Sequence, residues 1–288
     1  MGGAKAVASV VAIGIAVACG CGRGARPIVV GSKNFTEQLI LGEIMAQQLE
    51  RKLGQKVERR LDLGGTLLAH QALVTGELDV YPEYTGTALT AILKHGPSSD
   101  PKGVLEAVRS EYEKRWRVEW LAPFGFNNSF AMVIRGSNGM KTLSEAAQRK
   151  RDWVMGAGYE FVVRPDGFHG LVKAYGLETK GEVETMDLGL LYQALEQRKV
   201  DMIAASATDG MLSVLNVTVL EDDRRYFPPY EAAPVVRAEA LSAHAGMKEA
   251  LDELAGKLTD RDMQKLNYQL DGKHRPVAEV ARDFLNGR

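Results

Sequence analysis

The sequence predicts an α/β fold. Short strand signals and amphipathic helix signals alternate from residue 27 onward, and helices open directly where strands end. The strand ends themselves are crowded with polar and aromatic residues, LDVYPEYTGT at 78–87 above all. Residues 27–30 read as a strand and Gly31-Ser32-Lys33 as a turn. Asn34, with Glu37 three residues on, has the spacing of a capping box, opening a helix whose apolar stripe is Ile40, Ile44, Met45, Leu49 and Leu53 and whose stop is Gly54. Residues 57–63 form the next strand. Gly64-Gly65-Thr66 opens a helix running to Gly76, and residues 78–80 give a third strand. In open α/β sheets, ligands bind beyond the carboxyl ends of strands, where helix N-termini offer free N–H groups.

The first 22 residues, MGGAKAVASVVAIGIAVACGCG, stand apart: Lys5, an uncharged run from Ala6 to Ala18, then Cys19 and Cys21. The run is shorter than the roughly 20 residues a bilayer span needs and suits the apolar core of a signal peptide, so residues 1–21 are expected to direct export. A small residue precedes each cysteine, as in bacterial lipoprotein signals, so Cys21 or Cys19 is the expected lipidation site; an ordinary secretory signal with incidental cysteines is the alternative. Because the chain has 2 cysteines in all, both in this segment, the mature domain has no thiol chemistry.

Charge excludes other classes. With 36 Lys+Arg against 37 Asp+Glu, interspersed, no nucleic-acid or lipid-surface footprint exists. The five histidines (His70, His95, His169, His244, His274) lack metal-ligand spacing, no Ser-His-Asp grouping stands out, and no phosphate loop of the Walker type occurs, so neither an enzyme nor a cofactor or metal is expected. A weak internal echo joins GELDVYPEYTG (76–86) to RKVDMIAASATDG (198–210): aligning Asp79 with Asp201 sets Tyr84 opposite Ser206. Two halves of similar design would face each other across a cleft.

The segments GSKNFTEQ, YPEYTGT, PFGFNNSFAM, EFVVRPDG, MDLGLLYQAL, ATDG and YFPPYEAAPVVR, in this order, resemble the osmoprotectant substrate-binding proteins of ABC importers, for glycine betaine, choline and related quaternary amines. The resemblance implies a two-lobed periplasmic-binding-protein fold of type II, each lobe a mixed sheet flanked by helices, with the ligand cleft between. Lobe one is expected at 28–129 plus 234–288 and lobe two at 130–233. It also implies the partners: a quaternary amine ligand, and the permease and ATPase subunits of a transporter. The protein would lie in the periplasm or on the outer face of the cytoplasmic membrane, held there by lipid alone. A ligand-binding sensor is the competing class.

A quaternary ammonium has no N–H to donate, so aromatic faces select it, each worth about 0.5–2 kcal/mol; a carboxylate on the same ligand needs fixed donors. Carried over by motif, Tyr84, Phe130 and Tyr230 form the aromatic box, Arg164 grips the carboxylate with help from Lys33 and Thr87, and Asn128 and Glu160 orient these groups. Where the family commonly has Tyr ahead of (Ala/Ser)-Thr-Asp-Gly, this chain has Ser206, and Phe130 stands where Tyr is common. One wall of the box is missing, which leaves open a small betaine or a bulkier amino-acid betaine as ligand.

Overall fold

The structure, a computed structural model, describes residues 1–3, 26–136, 139–149 and 152–287. The expected signal segment and both cysteines fall outside the described residues, apart from residues 1–3.

The elements follow the alternation read from the sequence. The first part runs β1 (Ile28–Gly31), α1 (Thr36–Leu53), β2 (Val57–Arg60), α2 (Thr66–Val74), β3 (Val80–Tyr84), α3 (Thr85–Thr87) with a wider π turn over Ala88–Ile92, α4 (Pro101–Trp116) and β4 (Val118–Trp120). The second part runs β5 (Phe130–Arg135), α5 (Leu143–Gln148), β6 (Met155–Ala157), α6 (Tyr159–Val163), α7 (Phe168–Tyr175), β7 (Glu184–Thr185), α8 (Leu191–Glu196), β8 (Met202–Ser206) and β9 (Val217–Leu220). The chain then returns with β10 (Ala232–Arg237), α9 (Ala238–Ala243), α10 (Met247–Asp252), α11 (Asp260–Asp271) and α12 (Val277–Leu285).

Two five-stranded mixed sheets result, ordered β2-β1-β3-β10-β4 and β7-β6-β8-β5-β9. They have one design. In each, the central strand (β3 or β8) pairs in parallel with the strand of the preceding unit and antiparallel with a strand that has crossed from the other sheet's side of the chain. The echo seen in the sequence marks equivalent positions. Asp79 accepts a hydrogen bond from the Val29 N–H at 2.9 Å and Asp201 from the Val154 N–H at 3.2 Å, each carboxylate tying the start of its central strand to the neighbouring strand. Tyr84 and Ser206 are then the last residues of β3 and β8. The chain passes between the sheets twice, after β4 and before β10, and the bridge Asn127↔Glu231 holds the two passages together.

α1 shows how the pattern makes the element. Ile40, Leu41, Ile44, Met45 and Leu49 are fully buried, each worth about 1.5–3 kcal/mol, and Gly54 ends the helix in the left-handed conformation at φ 64°. Its start differs from the expected capping box. Phe35 occupies the N-cap position without a side-chain cap, the Asn34 N–H donates to the Gly64 carbonyl at 3.1 Å, and Glu37 turns inward. Four donors from other elements claim that carboxylate, so it is not available to the helix start. The second strand stops at Arg60 instead of running to 63, since Asp62 takes a positive φ of 64° that breaks the ladder.

Candidate ligand-binding site

A cavity of about 620 Å³ lies between the two sheets at the carboxyl ends of their central strands. All nine residues singled out in the sequence as ligand-binding line it: Lys33, Tyr84, Thr87, Asn128, Phe130, Glu160, Arg164, Ser206 and Tyr230. They come from separate segments. β3 ends in Tyr84, β5 begins with Phe130, and register pairs Phe130 with Ser206 of β8, so these two neighbours face the cavity from one sheet while Tyr84 faces it from the other.

Aromatic rings dominate the lining. Phe130 packs edge-on against Tyr230 and Phe161, with centroids 5.5 and 4.8 Å apart, and Phe35 stacks with Tyr84 at 6.2 Å and 20°. Phe35 and Phe161 are not among the residues that the sequence singles out. Each sits inside a quoted motif, so the signal exists, but an isolated Phe in a helix-start or helix pattern reads as core. Cations already stand against these faces: Lys33 Nζ lies 4.7 Å from the Tyr84 ring centroid, and the Arg164 guanidinium carbon 5.3 Å from those of both Phe130 and Tyr230.

Both cations are internally neutralised. Lys33, 3% exposed, donates to Glu83 at 2.6 Å, and Glu83, fully buried, also accepts from the Tyr81 hydroxyl and the Tyr84 N–H. Arg164 gives its Nε and Nη2 edge to Asp166 at 2.9 and 2.7 Å, its Nη1 to Thr87 at 2.9 Å and a further Nη2 bond to Thr90 at 3.2 Å. Of its five N–H groups one, on Nη1, is left for another acceptor. Tyr230 hydrogen-bonds both Arg164 and Asp166 through its hydroxyl. Asp166, two residues past Arg164 in RPDG, escapes sequence reasoning because a turn Asp normally serves its own backbone.

The hub of the site has the sequence spacing of a helix cap. Glu37 is 3% exposed and its two oxygens accept four hydrogen bonds: Tyr84 hydroxyl and Asn128 Nδ2, both at 2.8 Å, on one, Thr208 hydroxyl and Asn267 Nδ2 on the other. Burial pushes its pKa up against the pull of these four donors. The carboxylate fixes Tyr84 in place and ties it to the first chain passage at Asn128, to Thr208 just past β8 and to Asn267 of α11. Asn128 therefore orients the tyrosine through Glu37.

Glu160, on α6, reaches across the cleft. It accepts from the Thr66 N–H at 2.6 Å and the Thr66 hydroxyl at 3.0 Å, filling the N-terminus of α2 with negative charge. Asp209, also lining the cavity, has its pKa raised to about 6 by burial and by the like charge of Asp271, against the hydrogen bond from the Met211 N–H.

Residues 26–287 match the family described as the substrate-binding domain of ABC-type glycine betaine transport systems. The chain belongs to this family. It is 33% identical over 264 residues to a carnitine transport binding protein of Listeria monocytogenes, covering 90% of this chain and 85% of that one. It is 34% identical over 275 residues to a glycine-betaine-binding protein of Pseudomonas aeruginosa, covering 91% and 88%. Against an ergothioneine transport permease/ergothioneine binding protein of Helicobacter pylori the identity is 35% over 265 residues, which span 90% of this chain and 47% of that longer protein. Among solved structures, a glycine betaine/carnitine/choline ABC transporter structure superposes with a TM-score of 0.76 at 31% identity, covering 90% of this chain and 98% of the other. The two-sheet architecture is thus that of type II periplasmic binding proteins, and the family's role is solute binding for an importer. Among the described residues no helix is long and apolar enough to cross a membrane, and no group of His, Cys, Asp or Glu is arranged to hold a metal ion.

Proposed function

We propose that this protein captures a quaternary ammonium compound outside the cytoplasm and delivers it to the permease and ATPase of an ABC importer, tethered to the membrane by lipid on Cys21 or Cys19. The two lobes are residues 28–129 with 234–288, and 130–233. The observation that carries the ligand class is the ring-lined cavity: Tyr84, Phe130 and Tyr230, with Phe35 and Phe161, surround a space whose described Lys and Arg side chains, Lys33 and Arg164, are already paired with carboxylates. Among the described residues no cation is seen paired with Asp62 or Asp187, which leave the lining negative. A diffuse cation gains there from ring faces and from the field together. A carboxylate on the ligand is met by the spare Nη1 hydrogen of Arg164 beside Thr87.

Titration calorimetry tests this with glycine betaine, carnitine and choline beside neutral isosteres in which carbon replaces the quaternary nitrogen. The cations are expected to bind and the isosteres to bind at least tenfold more weakly, and Tyr84→Ala and Tyr230→Ala to narrow that gap. Equal affinity for a cation and its isostere overturns the ring-selection reading.

A further inference from the structure

Beyond the ring-lined cavity lies a second one of about 470 Å³, and the two share a wall that includes Phe35, Asn128, Leu188, Ser206 and Asp209. Ser206 decides how closed that wall is. It ends β8 directly beside Phe130, at the place where the family resemblance expects a tyrosine; a ring there would stand between the chambers, and a hydroxymethyl group does not.

The second chamber is chemically distinct. Its lining combines the apolar Met211, Leu215 and Leu270 with the carboxylates of Glu196, Asp209 and Asp271. No Lys or Arg is among its described lining residues; His274 is its one basic side chain. The Glu37 carboxylate at its base is saturated by four donors and offers nothing more. A small betaine fills only part of the first cavity, which by itself has the size of pockets for drug-sized ligands, about 300–1,000 Å³. The volume past Ser206 therefore has no occupant if the ligand is small.

Resting on the proposed function above, we infer that the ligand is an elongated cation: its quaternary ammonium lies among the rings, its chain passes Ser206, and its far end, cationic or N–H-donating, meets Asp209 in the second chamber. Ser206 is then the residue that sets ligand length, and Asp209 the one that reads the far end.

The probes are choline, a series of α,ω-bis(trimethylammonio)alkanes of increasing spacer, and the alkyltrimethylammonium ions of matching length. For wild type, the bis-cation at the best spacer is expected to bind about tenfold or more tightly than its equal-length mono-cation. Asp209→Asn, which keeps the side chain's shape, is expected to remove that advantage and to weaken the long bis-cation at least fivefold more than choline. Ser206→Tyr is expected to weaken the long probes tenfold or more while choline holds or improves. If choline binds but long probes all bind more weakly in wild type, or if Asp209→Asn lowers short and long probes alike, the second chamber is not part of the site. If no quaternary ammonium of any length binds, the ligand class itself is wrong and the inference falls with it.

Discussion

Gly65→Ala isolates the contact that ties α6 to α2 across the cleft. Gly65 has φ −78° and ψ −178°, which alanine adopts freely. Alanine is the poorer N-cap, by about 0.5–1 kcal/mol, but restricts the unfolded chain by about 0.4–1 kcal/mol, so fold stability stays close to unchanged. The new methyl would lie 2.4 Å from Glu160 Oε1, where ordinary contact begins at 3.4 Å, so the carboxylate must retreat by about 1 Å (3.4 minus 2.4). That retreat lengthens the Thr66 N–H bond from 2.6 Å to about 3.6 Å, past the ~3.2 Å limit of a good bond, and weakens the 3.0 Å hydroxyl bond with it. Glu160 is solvent-exposed, so each bond counts at the low end, about 0.5–1 kcal/mol. The closed arrangement then loses about 1–2 kcal/mol, and ligand affinity falls about 5- to 30-fold. Calorimetric titration reads the affinity, and small-angle scattering reads the shift toward an open shape. A double-mutant cycle gives the sharpest check: Glu160→Ala added to Gly65→Ala should cost nothing further. Full affinity in a normally folded Gly65→Ala protein, or additive losses in the double mutant, would refute the cross-cleft role of Glu160.

Two other outcomes follow from the buried charges. Arg164→Ala strands Asp166, fully buried, without its cation, and is expected to cost about 3–5 kcal/mol in denaturant unfolding; Arg164→Ala with Asp166→Ala is expected to cost clearly less, and an equal loss would mean that the pair is not coupled. Asp209 holds its proton more tightly in the native state (about 6) than in the unfolded chain (ordinary value 3.8), so its ionisation lowers stability as pH rises from about 4 to 6. Asp209→Asn keeps the hydrogen bond from the Met211 N–H and is expected to raise stability at pH 7 by about 1–2 kcal/mol, within the ~3 kcal/mol ceiling of a two-unit shift, with little effect at pH 4. The same gain at both pH values would show that burial of the charge is not the cause.

Much of the site is legible in the sequence because the fold puts chemistry at strand ends. Tyr84 and Ser206 can be matched from the order of residues alone, since an apolar-Asp-apolar strand start fixes where each central strand must end, and Asp79 and Asp201 do serve matching roles. The apolar stripe of α1 and its glycine stop are equally local signals. What the sequence could not determine was the partner of each buried charge. Glu37 looks like a capping residue at spacing i, i+3, yet its donors are residues 47, 91, 171 and 230 positions away. Lys33 meets Glu83 across 50 residues. Helix and strand periods are set by neighbours along the chain and can be read from it. A desolvated charge instead takes whichever donors the packed lobes bring to it, because leaving it unpaired costs several kcal/mol, and only the tertiary structure decides which those are. The same holds for the second chamber: the sequence shows a small residue at 206, but the space behind it exists only once α8 and α11 close around β8.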